Sequence, residues 1–271
     1  MNAHSARTAA LLLSAATFAG LATGCSADEP NPHPTPIDTA AALPQGDDPV
    51  QLDPAEFSTT IDNPYWPMVP GTRWTYSETD AAGAALTVVV TVTSDTKLIA
   101  NGVTARVVRD TVWDGGAIIE DTFDWYAQDA RGSIWYLGED TAEFQNGAVV
   151  STSGSFEAGV DGGLPGIAVP ADPQPGMAYR QEYYRGEAED NGEVLSVREM
   201  AEVPAGQFSD VLLTKDTITI EPDVLEYKLY APGIGPVLTL DVSGGSGGRE
   251  ALISVEQVPD GAGTGPLGQP D

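Results

Sequence analysis

Valine, threonine and aromatic residues alternate with polar ones in short runs along most of this chain. That is the period-two pattern of strands with one buried face. The stretch 84–95, AALTVVVTVTSD, shows it most strongly, and 103–113, 117–127 and 132–138 repeat it. Further strands are predicted at 179–189, 193–203, 207–220, 224–231, 234–242 and 250–258. Asn101-Gly102, Asp114-Gly115-Gly116, Asn146-Gly147 and Asn191-Gly192 each mark a hairpin, because these residue types tolerate positive φ. No long stretch carries a helical period. The pattern predicts an all-β fold, a single antiparallel domain over 55–258 built either as a curved sheet or as a half-open barrel. Glycine and proline punctuate 154–178 too often for a strand, so one long loop is expected there. Its Phe156, Leu164, Ile167 and Val169 make it either an ordered lid or plain structural cover.

Register counting brings particular side chains together. With a three-residue loop at 114–116, Arg109 faces Asp121, Thr111 faces Ile119 and Val107 faces Phe123 on one apolar face. A semi-buried Arg109–Asp121 pair follows, either a satisfied ion pair or a polar anchor in a ligand cavity. A two-residue loop would instead set Arg109 near Glu120 or Thr122. A hairpin with its tip at 128–132 sets Trp125 against Trp135, as a core pair or an aromatic platform. Asp124 and Tyr126 then face the other way. Arg109, Asp121, Trp125, Trp135 and Phe156 form the candidate ligand pocket. Around Asn191-Gly192, the carboxylates of Glu187, Glu189, Asp190 and Glu193 crowd one predicted turn. It is either a solvated tip or a calcium-binding turn, though its spacing is not that of an EF-hand loop. No other cofactor is expected.

Composition narrows the chemistry. Forty acidic residues against twelve basic ones give a formal charge of −28, which argues against nucleic acid, whose phosphates need clustered Lys and Arg. Cys25 is the sole cysteine, and His4 and His33 are the sole histidines. A Ser-His-Asp triad, a Cys-His dyad and a histidine zinc site therefore lack their parts in the β domain. Gly244-Gly245-Ser246-Gly247-Gly248 fits G-x-S-x-G literally, yet no helix follows it and no histidine can serve it, so it reads as a turn. No catalytic residue is assigned.

The N-terminus carries Arg7, an apolar run over 11–22, and then Leu21-Ala22-Thr23-Gly24-Cys25. This layout resembles the lipobox of bacterial lipoprotein signal peptides. The resemblance implies cleavage of 1–24, a diacylglycerol on Cys25 and a place on the extracytoplasmic side of the cell membrane. The apolar run is too short to remain as a membrane-spanning helix. Residues 25–54 read as the lipidated cysteine and a proline- and acid-rich spacer, and 259–271 as a flexible tail.

Four further stretches carry a resemblance. Asn63-Pro64-Tyr65-Trp66-Pro67-Met68-Val69-Pro70-Gly71-Thr72-Arg73-Trp74-Thr75-Tyr76 and 120–129 resemble a class of secreted bacterial β proteins with no assigned activity. Val203-Pro204-Ala205-Gly206-Gln207-Phe208 and 230–237 resemble the same class, and these two turns are also loosely similar to those of lipoprotein-carrier-type half-barrels, which implies a concave sheet able to hold an acyl chain. Three readings of function stand. The first is a lipid-anchored, non-enzymatic envelope protein binding a small hydrophobic or glycan ligand or another envelope protein. The second is a carboxylate-driven hydrolase of an envelope polysaccharide. The third is a purely structural surface protein.

Overall fold

The structure is a computed structural model that describes residues 43–80, 82–243 and 247–270. Cys25, the leader, the spacer up to residue 42 and Ser246 lie outside the described residues. The first half of the domain holds β1 (Phe57–Ser58), β2 (Thr72–Thr79), β3 (Ala85–Leu98), β4 (Thr104–Asp114), β5 (Ala117–Asp129) and β6 (Ile134–Gln145). Short elements follow: β7 (Ala148–Ser151), β8 (Phe156–Glu157), β9 (Leu164–Val169), β10 (Ala178–Arg180) and β11 (Glu182–Tyr183). The chain then completes β12 (Asp190–Val203), β13 (Gly206–Ile218), β14 (Leu225–Ala231), β15 (Gly235–Asp241) and β16 (Gly248–Gln257).

Thirteen of these strands form one antiparallel path in the order β10-β12-β13-β14-β15-β16-β2-β3-β4-β5-β6-β9-β11, with β1, β7 and β8 attached at its side. The path is two meanders, β2 to β6 and β12 to β16, sewn together where β16 pairs β2. Its two ends, β10 and β11, are consecutive in the chain, and only Gln181 separates them. The sheet is thus a barrel nearly closed, with one unsealed seam at that crossing. All-β and antiparallel is what the alternation predicts, and of the two arrangements it leaves open the barrel is the one formed.

Strand alternation places the core. In β2, Thr72, Trp74 and Tyr76 are buried and the residues between them are not. Trp74 and Tyr76 anchor across the barrel, donating from Nε1 to the Ile234 carbonyl (2.8 Å) and from the hydroxyl to the Pro236 carbonyl (3.0 Å). Each buried polar tip is thereby satisfied, which desolvation requires. The loops at Gly115-Gly116 and Asn146-Gly147 have positive φ at both residues (55° and 90°, 55° and 76°), matching the right-handed twist of their hairpins.

Three sequence expectations are corrected. Asn191-Gly192 lies within β12, opposite Thr217 and Asp216, and makes no hairpin. The glycine is there for space, because a Cβ at Gly192 would sit 2.6 Å from the Tyr179 ring. The segment 154–178 is not one loop. It contains β8 and β9, and β9 pairs β6 and β11 with Ile167 and Val169 fully buried. Gly166 permits this, since a Cβ there would lie 2.3 Å and 2.4 Å from the Gln181 and Arg180 carbonyl oxygens where the chain crosses the seam. The expected strand at 179–189 is broken into β10, β11 and a turn.

The spacer's end and the tail are both docked. Arg180 is buried, and its guanidinium donates to the carbonyls of Gly46 (2.7 Å), Asp48 (2.8 Å) and Pro165 (2.8 Å). It therefore ties residues 46–48 to both sides of the seam. The tail is held by a second buried arginine, described below.

Candidate functional site

The Arg109–Asp121 pair forms, on a different register from the one predicted. The β4–β5 loop has two residues, so Asp114 faces Ala117 and Trp113 faces Ile118. A bulge after Val112 then shifts the ladder by one residue, leaving Thr111 opposite Asp121 and Arg109 opposite Phe123. Arg109 reaches diagonally and donates to both carboxylate oxygens, with Nε–Oδ1 at 2.9 Å and Nη2 to Oδ2. The two side chains are 1% and 0% exposed. Thr111 Oγ1 also donates to Asp121 (2.8 Å). The remaining guanidinium protons go to the tail: Arg109 donates to the carbonyls of Gly263 (3.2 Å), Gly265 (2.7 Å) and Pro266 (2.9 Å). Gly268 N donates back to Asp121 (2.6 Å). Every partner is supplied by the chain itself, so this pair is a clamp on the C-terminal segment, leaving no polar group for a ligand.

The other expected pocket residues do not converge on it. Trp135 faces Ala127, not Trp125, because the turn lies one residue further along than predicted, with Gln128 opposite Ile134 and Asp129 N donating to the Ser133 carbonyl (3.0 Å). Trp135 stands edge-on to Phe57 (6.0 Å between centroids) and donates Nε1–H to Asp129 (3.0 Å). Trp125 carries Lys97 over its ring at 4.2 Å, in an open groove shared with Phe123 and Pro266. Phe156 lies elsewhere, packed edge-on to Tyr136 (5.9 Å). The four acids of the predicted cation turn are also dispersed. Glu187 is exposed, Glu189 accepts from Gly186 N (2.9 Å) and Glu193 pairs Lys215 (3.3 Å). Asp190 turns inward. Among the described residues no three acidic, histidine or cysteine groups converge as a metal site would require.

The opposite face of β4 and β5 lines a cavity of about 280 Å³ inside the barrel. Asp124 and Tyr126, predicted to face away from the Arg109 side, both reach it, with Tyr136 of β6 beside them. Five rings follow one another along this wall: Tyr230, Trp66, Tyr126, Tyr136 and Phe156, with neighbouring centroids 5.0–5.9 Å apart. Gly235 makes room for the indole, since a Cβ there would meet Trp66 at 2.6 Å.

Carboxyl groups are set among these rings. The Tyr136 hydroxyl lies between Asp124 Oδ1 (2.7 Å) and Glu139 Oε2 (2.6 Å). Glu182 and Asp190 meet across the seam, where their carboxyls share a hydrogen bond. Burial pushes the Asp124 carboxyl up to about 7, although the Tyr136 hydrogen bond opposes the rise. Burial and the neighbouring Asp124 push Glu139 up to about 8. Burial and Asp190 raise Glu182 well above the usual carboxylate range, and burial raises Asp190 as well. Lys228 is the cation on this wall. Burial opposes its charge, but Asp216 (3.0 Å) and Glu226 (3.5 Å) outweigh that effect and keep it protonated.

No family model matches the chain, and no curated protein matches it. Three solved structures resemble it at low identity. One, described as exported and of YmcC-like fold, comes from Bacteroides fragilis: 16% identical, covering 71% of this chain and 99% of that one, TM-score 0.44. Another is described as a lipoprotein of Parabacteroides distasonis: 12% identical, 71% and 98% covered, TM-score 0.39. The third is a β-barrel-like protein of the domain of unknown function DUF1849 from Brucella abortus: 13% identical, 69% and 98% covered, TM-score 0.34.

Proposed function

We propose that this chain is a lipid-anchored protein of the extracytoplasmic envelope whose barrel binds a small molecule in its interior cavity. The observation that carries the reading is the cavity itself: aromatic faces and carboxyls lining one concave space of about 280 Å³. Ligand sites are mostly apolar concavities with a few convergent polar groups, from about 300 Å³ upward. This one sits at the small end of that range. An acyl chain is a poor match, because it would strip water from carboxyls and return no hydrogen bond.

The hydrolase alternative is less well supported. A glycosidase needs one carboxyl held protonated and a second held ionised. Here the environments of Asp124, Glu139, Glu182 and Asp190 all push in the same upward direction.

Two experiments test the proposal. Equilibrium binding of a panel of amines, neutral sugars and fatty acids should give a saturable ligand whose binding is lost in Trp66→Ala. Binding untouched by that change removes the cavity from the reading. Cys25→Ser should abolish fatty-acid labelling and move the protein from the membrane to the soluble extracytoplasmic fraction. A variant still sedimenting with membranes would refute the anchor.

A further inference from the structure

We infer that the cavity's ligand is an organic ammonium ion, held between ring faces and carboxylates, an inference that rests on the pocket reading above. The titratable groups around the cavity and its lining are overwhelmingly acidic. Asp110 of β4, Asp124 of β5, Glu139 of β6 and Glu182 of β11 lie on one half, with the phenols of Tyr126 and Tyr136. Asp190 of β12, Asp216 of β13, Glu226 of β14 and Glu250 of β16 lie on the other, with Tyr76 and Tyr230. Lys228 is already matched by Asp216 and Glu226, so its charge does not offset the rest.

A second observation points to a missing partner. Glu182 lines the cavity, and beyond the hydrogen bond its carboxyl shares with Asp190 its Oε2 is shielded from solvent with no other partner. Asp216 is 5% exposed and reaches the wall through Gln181 (3.2 Å) and Lys228, yet its Oδ1 is also unpartnered. Buried acceptors left unsatisfied are costly, and an ammonium group supplies the donors they lack.

Ligand geometry separates an organic cation from a metal ion. Among the described residues no three acidic groups converge on one point, as an inner-sphere metal site needs. The carboxyls are instead spread around the aromatic wall. Ring faces attract ammonium groups through their quadrupole, most strongly where water is excluded. Aromatic rings in series with spaced carboxyls suit an alkyl ammonium with one or more charged ends.

The carboxyls also predict how such a ligand binds. The empty site holds protons on groups raised by burial, and an arriving cation favours their ionised forms, so binding releases protons.

Titration calorimetry of the full-length protein in a non-ionic detergent tests this with putrescine, spermidine and tetramethylammonium. Calcium, glucose and a short fatty acid serve as controls. At least one ammonium probe should bind, with an affinity that rises about tenfold from pH 6 to pH 8 as one proton is released. The enthalpy should change with the buffer's ionisation heat, reporting that proton directly. Glu182→Gln should weaken binding about tenfold or more, since a charge-assisted contact is lost. Glutamine has the shape of the protonated acid the fold already carries, so this variant keeps the barrel, and Asp124→Asn gives an independent check. Failure of every ammonium probe at pH 8, or binding indifferent to both substitutions, overturns the inference. If glucose or the fatty acid binds instead, and Trp66→Ala abolishes it, the amine is wrong and the pocket reading stands. If neither the ammonium probes nor the controls bind, both fall.

Discussion

Arg109→Ala should lower the unfolding free energy by about 3–5 kcal/mol, the range seen when one partner of a buried pair is removed. The reason lies in what stays behind. Asp121, 0% exposed, would lose its guanidinium partner and be left with Thr111 and Gly268 N as donors. Three tail carbonyls would lose their donor in the same step. The tail would then detach, and its amides over 261–270 should lose hydrogen-exchange protection. Replacing both partners, as Arg109→Met with Asp121→Leu, should cost less than either single change, because no charge is left unpaired. Urea titration reads the stability, and hydrogen exchange reads the tail. A single variant within about 1 kcal/mol of the parent, the size of a surface ion pair, would refute the clamp.

The Asp124–Glu139 pair should make the barrel less stable as pH rises. Both groups have folded pKa values, about 7 and about 8, above their unfolded values of roughly 3.9 and 4.3. Below about pH 4 both are protonated in the folded and unfolded chains alike, and they exact no penalty. Between there and pH 7–8 the unfolded chain ionises while the barrel holds its protons, so stability falls by up to about 1.4 kcal/mol per pH unit for each group. Above the folded values the loss levels off. The variant Asp124→Asn with Glu139→Gln removes both titrations and keeps the Tyr136 contacts. It should match the parent near pH 3 and exceed it by several kcal/mol at pH 8.5. Taking the difference between parent and variant cancels the many other acids. A difference that does not change with pH would contradict the assignment.

The strands were legible because most of them keep one face in the core. The hairpins at Asn101-Gly102 and Asn146-Gly147 were legible because positive φ selects Gly102, Asn146 and Gly147. Asn191-Gly192 misled for an instructive reason: Gly192 answers to the Tyr179 ring, a contact that sequence spacing does not encode. The Arg109–Asp121 pair was found despite a wrong loop length, because a bulge restored the shared face. The cavity was hidden in another way. Its acids come from six or more strands, and what brings Glu182 to Asp190 and Glu139 is barrel closure, which local alternation does not report. Asp124 and Tyr126 offered the one clue. Both were placed away from the Arg109 face, and that face was taken to be the ligand side.

Closure of the barrel has a consequence in time. Gln257 Nε2 donates to Thr72 Oγ1 across the β16–β2 ladder, although 185 residues separate them in the chain. The first meander can form hairpins as it is made, but β2 keeps a bare edge until the final strand arrives. Long-range pairings of this kind come late, because loop-closure entropy must be met before they are rewarded. An emerging polypeptide therefore stays open, and threadable through a narrow passage, until β16 is out.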